Sequence, residues 1–170
     1  MQNVLMVIAP EVFRDEEYAE PKSVFEARGA AVTTASRTAG TCRGKLGMTA
    51  EATLSVAAAR ASDYDAVVFV GGGGAEVYFD DPSAHALARA ARQAGIVVAA
   101  ICVAPSILAR AGLLGGVRAT AFASRRDDLI AHGALWTGAS VEVDGAIITA
   151  NGPDAAQDFG LAIADAIGLP

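Results

Sequence analysis

The sequence holds no basic stretch longer than Arg125-Arg126, and Asp127-Asp128 follow it at once. With a formal net charge of −6, that absence argues against a nucleic-acid partner, which requires a basic patch to neutralise phosphates. No apolar run reaches the roughly 20 residues that span a bilayer, so no membrane partner is expected. The opening MQNVLMVIAP lacks a basic n-region and reads as a first strand rather than a signal peptide, so a cytoplasmic protein is expected. Cysteines number only two, and neither Cys42 nor Cys102 sits in a CxxC. A disulfide framework is therefore excluded and reduced thiols are expected. His85 and His132 form no HxH or HExxH pattern, which argues against a metal site and places both on the surface. GK[ST] is missing, and a GxGxxG fingerprint would need glycine where Glu76 stands, so neither a Walker loop nor a dinucleotide cofactor site is expected.

What the chain does contain is apolar residues, at 53% with only 19% charged and a mean hydropathy of +0.38. That composition suits a well-buried fold, and 170 residues with no linker or repeat suit one domain over residues 1–170. Short apolar runs at 3–8, 31–35, 66–70, 96–101 and 146–150 read as strands. Helical spacing fills 16–27, 82–94, 105–111 and 154–167, with a short helix at 127–132. The glycine-broken stretch 40–54 reads as a hairpin excursion, and shorter strands are expected at 118–122, 135–137 and 141–143. Uniformly apolar strands alternating with helices predict a parallel sheet covered on both faces, a doubly wound three-layer α/β sandwich. Sites in such folds lie beyond the C-terminal strand ends. That rule selects three loops: PEVFRDEE, GGGGAE and CVAP.

Cys102 stands where a strand ends and a helix begins, with Ala100 and Ala104 two residues to either side and Pro105 in the first helical turn. Those are the marks of a nucleophile elbow, where the helix N-terminus would favour the thiolate. A buried, inert core cysteine fits the same local sequence. The GGGGAE loop can present backbone N–H groups as an oxyanion hole or serve only as a tight turn. Asp15-Glu16-Glu17 suit the dipole of the first helix, yet one of these acids would also lie at the edge of strand one, within reach of a thiol. Cys42, in a polar glycine-rich stretch, reads as an ordinary thiol, oxidisable if exposed. Ser124 to Asp127 read as a helix cap, and Trp136 as core or interface.

Taken together, NVLMVIAP, DEEYAEPKSVFEARGAAV, DYDAVVFVGGGGAEVY, VVAAICVAPSILARAGLLGG and VEVDGAIITANGPDAAQDFGLAI resemble the ThiJ/PfpI superfamily, of DJ-one and the archaeal intracellular proteases, nearly end to end. The resemblance implies a flavodoxin-like fold of the class I glutamine amidotransferase type, and a homodimer. It makes Cys102 the elbow cysteine and Glu17, four residues before Pro21, the glutamate that bonds its sulfur, with Glu16 the alternative if the register slips. It makes the amides of Gly72 and Val103 the oxyanion donors. Glu76 matches a glutamate that, in protease-like members, orients a histidine directly after the cysteine.

Two departures bear on activity. Val103 stands in the place of that histidine, which argues against peptidase activity, and Phe122 stands where DJ-one-type members carry another. What survives is a nucleophile, one acid/base and an oxyanion hole. The resemblance therefore implies a cofactor-free glyoxalase- or deglycase-like enzyme acting on small reactive carbonyls through Cys102 and Glu17. The alternative is an oxidation-sensing or protective protein whose Cys102 forms a sulfinic acid.

Overall fold

The computed structural model describes residues 1–170. Seven strands form the central sheet: β1 (Asn3–Val7), β3 (Ala31–Ser36), β6 (Leu54–Ser55), β7 (Ala66–Phe69), β8 (Val97–Ile101), β11 (Val141–Asp144) and β12 (Ile147–Ala150). Their spatial order is β11-β12-β8-β7-β1-β3-β6. All pairings are parallel except the β11–β12 hairpin, closed at Asp144-Gly145. β7 and β8 are the apolar runs AVVF and VVAAI, and every residue of both is buried, as strands covered on two faces must be.

Five helices cover the sheet: α1 (Asp15–Ala27), α2 (Pro82–Gln93), α3 (Pro105–Arg110), α4 (Arg126–Ala131) and α5 (Ala156–Ala166). The path β1-α1-β3 moves toward one edge and β7-α2-β8 toward the other. Right-handed crossovers then put α1 and α2 on opposite faces, which is the doubly wound, flavodoxin-like arrangement. α1 packs on α5 so closely that a Cβ on Gly160 would lie 2.8 Å from Pro21 Cα. The reversal of direction falls between β1 and β7, so the crevice beyond their C-terminal ends is the place to look for chemistry. No helix is long and apolar enough to cross a membrane.

Two small sheets flank the large one. β2 (Glu11–Phe13), β4 (Gly40–Gly44) and β5 (Thr49–Ala52) make one, and β9 (Arg118–Ala119) with β10 (Leu135–Trp136) makes the other. The hairpin expected over 40–54 is β4–β5, but its continuation at Leu54–Ser55 joins the edge of the main sheet. β2 and a 3-10 turn at Gly73–Tyr78 have no counterpart in the pattern of apolar residues. β9 is shorter than the run 118–122 suggests, because the chain turns away at Thr120, whose N–H donates to Thr149 Oγ1 (3.0 Å).

Candidate active site

Cys102 follows β8 directly and adopts φ 64°, one of two non-glycine residues in the left-handed region. Its backbone is clamped on both sides: its N–H donates to Ala150 O (2.9 Å), and its carbonyl accepts from Phe122 N–H (2.8 Å). The strained turn is thus held by β12 and by the segment after β9. The other left-handed residue, Val12, sits in β2, and its carbonyl lies against Gly72. Arg14 N–H then donates to Gly71 O (3.0 Å), fixing the start of α1 to the end of β7. Two strained residues and two adjacent glycines therefore meet at the crevice.

The three acids that open α1 have three separate tasks. Asp15 accepts from Leu46 N–H (3.0 Å) and Met48 N–H (2.9 Å), holding the β4–β5 turn. Glu16 pairs with Arg14 Nε at 2.7 Å, and that contact holds its carboxyl below the usual range. Glu17 turns inward and is fully buried. Neither of its oxygens makes a hydrogen bond of standard geometry, although a buried polar atom ordinarily finds a partner. Its surroundings are the crevice: a Cβ on Gly71 would lie 2.8 Å from Glu17 Oε1 and 2.7 Å from Cys102 Cβ. Gly71 is glycine because the glutamate and the cysteine close over it. Pro21 has a local role as well. Having no N–H, it leaves unmade the helical bond to the Glu17 carbonyl four residues earlier.

The electrostatics follow from this dryness. Burial pushes the Glu17 carboxyl up to about 8, against smaller opposing effects of the Cys102 sulfur and Arg14. Burial also pushes the Cys102 thiol up to about 12, and the Glu17 charge adds to the rise; the amides of Gly72 and Val103 pull the other way. The helix N-terminus, expected to favour a thiolate, is opposed here by burial. α3 has only six residues, and desolvation outweighs its dipole and both amides. Burial thus favours the protonated form of both groups.

The crevice thus brings together Cys102, Glu17, Gly72 and Val103. Glu16 and Glu76 stay outside it: Glu16 is half-buried on Arg14, and Glu76 is exposed with no hydrogen bond or ion pair from its side chain. Gly71 and Arg14 were not legible as site residues, although a strand-end glycine and a base directly before three acids were the available signals. Cys42 is 2% exposed, so the condition for its oxidation, exposure, is not met.

A model of the DJ-1/PfpI family matches residues 2–166. The chain belongs to the DJ-1/PfpI family. It is 41% identical to MJ0967 of Methanocaldococcus jannaschii, over 96% of this chain and 82% of that one. It is 34% identical to the deglycase PH1704 of Pyrococcus horikoshii, over 88% and 90%. The crystal structure of a ThiJ/PfpI domain protein from Brachyspira murdochii superimposes with a TM-score of 0.95 at 34% identity, over 97% of this chain and 95% of that one. The DJ-1/PfpI structures share the flavodoxin-like, mostly parallel sheet described above.

Behind the elbow lies a second ionic cluster. Arg125 Nε donates to Ser106 Oγ (2.7 Å) on α3 and its Nη2 to Asp128 Oδ2 (3.0 Å). Arg110 bridges Asp128 (3.2 Å) and Asp80 (2.8 Å). Both guanidinium groups face the Phe79 ring, at 4.7 Å for Arg125 and 5.5 Å for Arg110. Burial would raise the Asp128 carboxyl, but Ser106, Arg110 and Arg125 together hold it below its usual range. The cap expected at Ser124 to Asp127 does not form; Arg125 occupies the N-cap of α4 without a side-chain capping bond and reaches α3 instead.

Proposed function

We propose that this protein is a cofactor-free, cysteine-dependent enzyme that converts small α-oxoaldehydes to 2-hydroxy acids. The observation that carries this reading is Glu17: a fully buried carboxyl with no conventional partner, set against an elbow cysteine in a strained conformation. Such a group costs stability, and its use is as an acid and base in a dry site. Named deglycases among the relatives support the same direction.

The steps balance with water alone. Sγ attacks the aldehyde carbon, the thiol proton passes to the Glu17 carboxylate, and the new oxyanion accepts from the Gly72 and Val103 N–H groups. Glu17 passes that proton on to the oxyanion, and the freed carboxylate removes the C–H proton of the neutral hemithioacetal and returns it to the neighbouring carbon, while the hydroxyl proton moves to the former ketone oxygen. That shift leaves a thioester of the 2-hydroxy acid. Water then cleaves the C–S bond, and sulfur takes back a proton. The attacking form has one proton in the pair, so kcat/KM rises with pH through about 8 as Glu17 ionises. Oxidation of Cys102 as the main task would need a thiolate at neutral pH, and the raised thiol works against it.

The test is lactate formation from methylglyoxal. Turnover that disappears in Cys102→Ala, with a pH rise that disappears in Glu17→Gln, is the expected result. Turnover unchanged in Cys102→Ala would sink the proposal.

A further inference from the structure

Beside the elbow a slot of about 310 Å³ opens at the ends of β9 and β12. Its walls include Phe122, Trp136, Asn151, Gly152, Pro153 and Asp154. Two hydrogen bonds tie it to the candidate nucleophile. Phe122 N–H donates to Cys102 O (2.8 Å), and Cys102 N–H donates to Ala150 O (2.9 Å), the residue just before Asn151. Phe122 is 47% exposed, an unusual cost for a ring that has no partner on that side.

Each ring of the slot has a glycine against it. A Cβ on Gly152 would lie 3.9 Å from Phe122 Cδ2, and one on Gly138 would lie 3.4 Å from Trp136 Nε1. Gly138 needs its left-handed φ of 69°, but Gly152 is extended at φ 164°, a conformation any residue adopts. The missing side chain at Gly152 therefore leaves ring surface open without serving the backbone. The only charged side chain on the slot is Asp154, which is exposed and forms no ion pair.

We infer that this slot is the subsite for the substrate's substituent, and that it selects a flat, uncharged aryl group over a methyl group or an anionic one. The inference rests on the proposed carbonyl chemistry and names the substrate class for it: aryl α-oxoaldehydes. Phe122 and Trp136 supply ring faces for stacking, worth about one decade in specificity for a phenyl group. Asp154 repels carboxylate and phosphate substituents.

The test compares initial rates of mandelate formation from phenylglyoxal with those of lactate formation from methylglyoxal. A kcat/KM ratio of about 10 is expected, falling to about 1 in Phe122→Ala, which truncates an exposed ring, and in Gly152→Val, which fills the slot. A second readout needs no turnover. Trp136 is the only tryptophan, so its emission reports the slot directly. The unreactive probe 1-phenylethane-1,2-diol should change that emission saturably, and propane-1,2-diol should not. Equal rates for both dicarbonyls, with no saturable change in emission, would overturn the subsite while leaving the carbonyl chemistry intact. Saturable binding of the phenyl diol without turnover of either dicarbonyl would uphold the subsite and remove the carbonyl reading.

Discussion

Two clusters of ionisable groups meet the elbow and the helix that follows it, and they are built on opposite plans. Around Asp128 every charge has a partner: two arginines, a hydroxyl and an aromatic face, with the carboxyl held low. Around Glu17 the carboxyl has no conventional partner and its proton is held to about 8. A chain able to pair Asp128 so completely leaves Glu17 with no neighbour to bond but the Cys102 sulfur. Paired charges here fasten α3, α4 and the Gly73–Tyr78 turn together. The unpaired one is free to exchange a proton.

The sharpest way to break that contrast is by substituting each acid. Glu17→Gln should lower kcat/KM for methylglyoxal by about 10²–10⁴-fold, the usual range for a lost acid/base group. Asp128→Asn should lower it less than about tenfold, because Asp128 touches no reacting atom. Equal losses in steady-state assays would mean that the two clusters are one machine.

Stability against pH gives the next largest contrast. Glu17 goes from an unfolded value of 4.5 to about 8 in the folded protein, so the native state binds more protons between those limits. Its stabilising contribution is therefore complete below 4.5 and is lost as pH rises through about 8, at about 1.4 kcal/mol per unit. Chemical denaturation from pH 5 to 8 should show stability falling by a few kcal/mol, and Glu17→Gln should flatten that slope. Asp128 has the opposite sign, since its folded value is depressed. Its contribution is present at neutral pH and is lost only in acid, as pH falls through the folded value. The smallest effect is Asp128→Ala at pH 7, a loss of about 1–3 kcal/mol in denaturant titrations, because the partners are half-buried and Arg110 keeps Asp80.

The same contrast explains which parts could be read from the sequence. β7 and β8 announce themselves as unbroken apolar runs, and the strand-end rule then leads to Cys102 and the glycines after Val70. Among Asp15, Glu16 and Glu17 the residues alone do not choose; Glu17 is singled out by the family resemblance, through its spacing to Pro21. Other features depend on contacts distant in sequence. Arg110 meets Asp128 across 18 positions and Asp80 across 30, and no periodicity records either pairing. Val12 is β-branched and held left-handed by its surroundings, against its own preference, so β2 carried no signal. The helix start after Cys102 is visible in the sequence; the depth of burial that pushes its thiol up is not.

The central claim is that Glu17 and Cys102 titrate as one buried pair. It is tested most directly by the pH dependence of Cys102 alkylation with iodoacetamide in a Cys42→Ser background, with and without Glu17→Gln. The account predicts a midpoint well above the ordinary thiol value of about 8.5, moving down when the Glu17 charge is removed. A midpoint below that value, or one indifferent to Glu17→Gln, would contradict it.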